Sequence, residues 1–193
     1  MHPHRNPDCD LETKRVLDTA WLAIKNGRFD EAEKLLTTKS VRNNSEAQYL
    51  LAGFSLLGES QSDFNTRSLN TIERLSHINY PDAMYQLGVT YDTGDGVDLN
   101  KQLAADLFAK AATANHPKAK WIHGITLAYD SNSSAATISH GIALINSSAE
   151  DNFEGALRTL AGFYAKGEFG FPLDAVKCKE LEIAATSDDV IPY

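Results

Sequence analysis

No stretch of this chain reaches 18 consecutive apolar residues, so no segment has the length and apolarity of a membrane-spanning helix. Basic residues are the minority charge: 18 Lys and Arg against 26 Asp and Glu leave a net charge of −8. A phosphate backbone is held by a basic face, so this balance argues against a nucleic-acid partner. It favours the capture of cationic proteins instead. The opening Met-His-Pro-His-Arg-Asn-Pro-Asp-Cys contains no apolar stretch that could serve as a secretory signal. The expectation is a cytoplasmic chain, or a periplasmic one if Met1 replaces a removed signal. Catalytic signatures are scarce as well. There is no Gly-x-Ser-x-Gly elbow, no Ser-x-x-Lys with its companion motifs and no phosphate-cradling glycine loop. Ser139 and His140 are neighbours in sequence, but a triad is made by geometry rather than adjacency. Carboxylates are plentiful, yet no pair is singled out. A non-catalytic protein without cofactor is expected.

What the chain does have is a period. Small residues opening similar helices stand at Ala47, Ala83, Ala119 and Ala156, spaced 36, 36 and 37 residues apart. A fixed period of this length marks a stacked repeat architecture, and such arrays mainly present binding surfaces. Units of about 11–44, 45–82, 83–118, 119–155 and 156–185 follow, between a flexible polar tail at 1–10 and a second tail at 186–193. In the first, Leu11, Val16, Leu17, Ala20, Trp21 and Ile24 share a helical face. Asn26-Gly27 breaks that helix, and Asp30 and Glu31 sit in the first turn of the next, where acids suit the helix dipole. The third unit is the clearest. Ala83, Leu87 and Tyr91 recur every four places, and a Gly94-Asp-Gly96 turn leads to Leu103, Ala104, Leu107 and Phe108.

The run Ala83-x3-Leu87-Gly88-x2-Tyr91-x2-Gly94-x-Gly96-Val97, followed by Ala111-Ala112-x3-His116-x2-Ala119, resembles the Sel-1-like repeat family, close relatives of tetratricopeptide repeats. The likeness is specific at 83–118, good at 156–185, and degraded at 45–82 and 119–155. Residues 11–40 resemble a tetratricopeptide hairpin. His123 stands where the motif has leucine, and Gly162 follows Ala161 where the motif has a single small residue. The resemblance implies an all-α, right-handed solenoid of about five antiparallel helix hairpins that binds other proteins. Relatives act as scaffolds or adaptors, and several small bacterial ones are immunity proteins. An inhibitor that neutralises a partner toxin or effector is the expected role; a general scaffold or adaptor for a signalling or envelope complex is the alternative. Stacked helices advance by roughly 10 Å each, so the ends of such an array stay apart. Cys9 and Cys178 are then expected as free thiols, since a disulfide needs Cα atoms within about 7 Å.

Residues that the motif leaves open carry the candidate site. Two places after each opening alanine stand Tyr49, Tyr85, Trp121 and Arg158. On a helix each turns about 200° from its alanine. Units stacked in register would align them into a ladder, and Tyr, Trp and Arg are the types that anchor protein interfaces. Trp21 extends that row, and Glu46, Asp82 and Asp92 are expected to form an acidic rim for a basic partner. Ordinary packing between neighbouring units is the competing account of the same residues. Asp92-Thr-Gly-Asp95-Gly-Val-Asp98 lacks the alternating acids and the glutamate at the twelfth place of a calcium loop; repeat-turn glycines explain it better. His2, His4 and Cys9 fall short of a closed metal site, and His116 and His123 are expected to be structural.

Overall fold

The computed structural model describes residues 10–187. Among them are ten α-helices and no strand: α1 Leu11–Lys25, α2 Phe29–Leu36, α3 Ser45–Ala52, α4 Gln61–His77, α5 Pro81–Thr93, α6 Lys101–Thr113, α7 Pro117–Tyr129, α8 Ala135–Glu150, α9 Glu154–Lys166 and α10 Ala175–Ala184. Consecutive helices pair α1 with α2, α3 with α4, α7 with α8 and α9 with α10. The all-α hairpin architecture therefore stands. His2, His4, Cys9 and the closing Val-Ile-Pro-Tyr lie outside the described residues, whereas Cys178 is a free thiol.

The chain packs as two compact units, one ending at Ala104 and the other beginning at Ala105, so the boundary falls inside α6. In the first, Leu17, Leu36, Val41, Leu50 and Phe54 close a core around α1, α2 and α3. In the second, Ile145, Phe153, Leu157, Leu160 and Phe163 do the same around α8 and α9. Ala47, Ala83, Ala119 and Ala156 are all 0% exposed. The residues that announced the period are therefore fully buried.

Helix starts follow local chemistry. Asp10, Asn44, Ser60, Ser134 and Asp174 each accept a backbone N–H of the first turn with the side chain, satisfying donors that a helix leaves unpaired. Pro81 and Pro117 open α5 and α7, where the missing N–H costs nothing.

The ends of α4, α6 and α8 share one device. The Asn79, Asn115 and Asn152 backbones are left-handed, with φ of 61°, 64° and 58°. The N–H of each next residue reaches back five places: Tyr80 to Leu75 O at 3.0 Å, His116 to Ala111 O at 2.9 Å, Phe153 to Ser148 O at 3.1 Å. The asparagine N–H groups bond three places back, to Ser76, Ala112 and Ala149. This is the paired-bond C-terminal turn that usually takes glycine and sometimes asparagine.

Two polar clamps fix individual hairpins. The Arg67 guanidinium donates to Leu51 O and Phe54 O at 2.8 Å each and grips Glu59 at 2.7 and 2.9 Å. It thereby ties α4 to the carbonyls at the end of α3. The same grip holds the Glu59 carboxyl down at about 2. Lys120 is buried on α7, and its Nζ donates to Ser147 Oγ at 3.1 Å in the last turn of α8 and to Asp151 Oδ2 at 2.7 Å just after it.

Helix α7 lies close against α8, backbone to backbone. A Cβ built on Gly141 would lie 2.6 Å from Gly124 O and 3.0 Å from Ala128 N, and one on Gly124 would lie 2.7 Å from Gly141 O. Backbone cannot retreat as a flexible side chain can. Gly141→Ala is expected to lower stability by about 1–3 kcal/mol through overpacking. Gly162→Ala, in α9 with nothing within 4 Å of the added Cβ, is expected to raise it by about 0.5–1 kcal/mol through helix propensity. Paired thermal melts check both, and equal effects at the two sites would refute the contact.

Candidate partner-binding surface

At two of the four positions, the residue two places after an opening alanine meets the ring that follows a left-handed asparagine. On α3, the half-buried Tyr49 ring lies 5.6 Å from Tyr80 at an interplanar angle of 55°. On α7, Trp121 meets Phe153 edge-on at 5.5 Å, and its Nε1–H donates to Thr159 Oγ1 at 2.9 Å. Tyr80 and Phe153 are the residues that follow the left-handed asparagines. Trp121 is therefore partly a packing residue that holds α7 to α9. Arg158, by contrast, is exposed, and its guanidinium pairs with Glu154 one helical turn back at 2.7 Å. Trp21 is 38% exposed, with Lys25 Nζ 5.3 Å above its ring.

The expected acidic rim is corrected at two of its three members. Glu46 and Asp82 are only 4% and 6% exposed, too buried to meet a partner. They stand in the first turns of α3 and α5, where unpaired amide donors and the helix dipole favour a carboxylate. There they sit beside tyrosines. Burial, then the nearby Asp82 and Glu46 charges, push the Tyr80 hydroxyl well above its ordinary range. Burial and Asp82 do the same to Tyr49, and burial raises Tyr85. Asp92 is partly exposed but engaged: Lys101 Nζ donates to its Oδ1 at 2.9 Å and to its carbonyl at 2.6 Å. Gly94 and Gly96, with φ of 73° and 74°, carry the turn between them. This acid closes a hairpin.

An open trough runs beside these residues in the first unit. One depression of about 380 Å3 is walled by Ile24, Tyr49, Phe54, Phe64 and Ile72. A second, of about 320 Å3, continues past Asn65 and Thr90 to Asp95. Phe64, Ser68, Ile72 and Gln86 line both, so the two are continuous. Of the eight candidate residues, Tyr49 alone lines this trough; Phe64, Gln86 and Asp95 were not foreseen as site residues. Nothing in the repeat period marks them. The Asn-ring doublets at 79–80, 115–116 and 152–153, however, were readable as a second period. His116 caps α7, its Nδ1 accepting from Ala119 N at 3.2 Å. His123 is half-buried, and burial followed by the charge of His140 keeps it below its ordinary range.

Residues 81–116 match the Sel1 repeat. A Sel1 repeat protein from Oxalobacter formigenes has the same fold, with a TM-score of 0.67 at 20% identity over 88% of this chain and 67% of that one. So does a protective antigen of uropathogenic Escherichia coli strains described as displaying an SLR fold, with a TM-score of 0.64 at 19% identity over 91% of this chain and 37% of that one. At such identities the likeness is one of fold. This chain spans about two thirds of the first protein and little more than a third of the second. No curated protein matches the sequence.

The site geometry leads to two tests. Unfolded tyrosine releases its proton near the ordinary value of 10.0, and the folded cluster does so later. Stability is thus complete below that value and falls as pH rises beyond it, because only the unfolded chain can ionise. Tyr80→Phe should move the alkaline unfolding midpoint upward and remove one late-titrating tyrosinate band; an unchanged midpoint would refute the buried cluster. Trp121→Ala should cost about 2–3 kcal/mol from lost burial and packing, whereas Arg158→Ala should stay within about 0.5 kcal/mol. Denaturant melts of the two variants check this.

Proposed function

We propose that this Sel1-repeat protein is a non-catalytic binding module for a cationic protein, and that it acts as an immunity or inhibitor protein neutralising a toxin or effector. The trough of the first unit carries the reading: it is open, partly aromatic, and lined by side chains that the repeat period does not require. A surface held by capped helices loses little entropy on binding, which is the advantage of preorganisation. The net charge of −8 supports a partner of opposite sign by raising the rate of encounter. Sel1 repeats generally serve protein interaction, which fits the same use here. Among the described residues, no helix is long and apolar enough to cross a membrane.

Inhibition is a statement about the partner's activity, so that is where the test lies. The tagged full chain is used to capture partners from the lysate of its source, and each captured protein is assayed with and without it. A single stoichiometric partner, released by salt and inactive when bound, is the expected result. Two or more partners that keep their activity would overturn the inhibitor reading and establish a scaffold. A failure to retain any stoichiometric partner would overturn protein binding itself.

A further inference from the structure

The chemistry of the trough says more than that it is open. Its first depression is walled largely by carbon, with Tyr49, Phe54, Phe64 and Ile72 beside Ser68 and Gln86 around a space of about 380 Å3. Where the two depressions join stands Gln86, exposed on α5. Thr90 Oγ1 donates to the Gln86 main-chain carbonyl at 3.1 Å; among the described residues the Gln86 side-chain amide makes no hydrogen bond. A primary amide offers donors and an acceptor together, the pair of groups that an extended main chain also presents and a helix does not, because a helix has already paired its own. At the far end Asp95 is exposed between Gly94 and Gly96. Among the described residues it is the charged side chain that lines either depression. The cations of α4 do not offset it: Arg67 is held by Leu51 O, Phe54 O and Glu59, and Arg74 donates to Gln48 Oε1 at 2.9 Å.

We propose that this trough receives an extended, cationic segment of the partner protein. One apolar side chain fills the depression beside Tyr49 and Ile72, the segment's main chain lies against the Gln86 amide, and a lysine or arginine pairs with Asp95. The proposal rests on the protein-binding reading above and specifies the recognition element within it. Tyr49 and Phe64 supply the apolar contact, Gln86 the register and Asp95 the sign of charge.

The test uses fluorescein-labelled hexapeptide pools added to the full chain and followed by fluorescence anisotropy. Each pool carries one fixed leucine in a Gly/Ser background, with either lysine or glutamate scanned through the remaining places. The lysine pool should bind more tightly, by about three- to five-fold, as expected of an exposed ion pair. In Asp95→Lys the preference should invert toward glutamate, and Gln86→Ala should weaken both pools alike. Both positions are exposed, so melting curves should not move. Equal binding of the two pools, or a lysine preference that survives Asp95→Lys, would overturn the site. If a captured partner binds Gln86→Ala and Asp95→Lys as tightly as it binds the parent chain, the site is likewise wrong while protein binding stands.

Discussion

A left-handed asparagine followed by a ring is the joint on which the rest of the structure depends. At 79–80, 115–116 and 152–153 the ring residue closes the preceding helix through its own N–H. Its carbonyl then accepts the first bond of the next helix, from Met84, Lys120 and Leu157 at 3.0, 2.9 and 3.1 Å. One residue thus ends one helix and begins another, with no linker between them. Asparagine suits this place because its short polar side chain tolerates left-handed backbone better than other non-glycine residues do. Consecutive repeats consequently inherit a set direction from backbone geometry, before any side chain packs.

The ring then becomes the surface on which the neighbour docks. Tyr49 meets Tyr80 and Trp121 meets Phe153, so an aromatic two places after the opening alanine couples successive hairpins. Offset and edge-on ring pairs contribute about 0.5–1.5 kcal/mol beyond their area. A residue engaged in this way has less freedom to recognise a partner. The same holds for charge: Glu46 and Asp82 are buried in helix first turns, and Asp92, Glu59 and Asp151 are held by Lys101, Arg67 and Lys120. Conspicuous residues thus serve the fold first.

Departures from the repeat are also informative. The unit opening at Ala119 lacks the glycine turn of its neighbour, yet it contains a close backbone crossing, Gly124 against Gly141. Both glycines replace side-chain packing with backbone contact. After α9, Phe169 adopts φ 53°, unusual for a bulky residue. It is held there by rings, with Tyr129 at 5.1 Å and Phe163 at 5.0 Å.

The sequence by itself determined the all-α class, the buried alanines and the positive-φ glycines at 94 and 96. Each of these follows from near-neighbour rules: helical periodicity, capping side chains and turn chemistry act within a few residues and leave a readable trace. What only the tertiary structure decided was which side chains remain available. Glu46 and Asp82 look like surface acids in the sequence and are buried, because the first turns of α3 and α5 face their neighbouring helices. Tyr49 and Trp121 look like free anchors and are partly claimed by rings 31 and 32 places further on. Gln86 and Asp95 look ordinary and stand along an open trough. Exposure depends on what the next hairpin covers, a contact between residues far apart in the chain that no local pattern encodes.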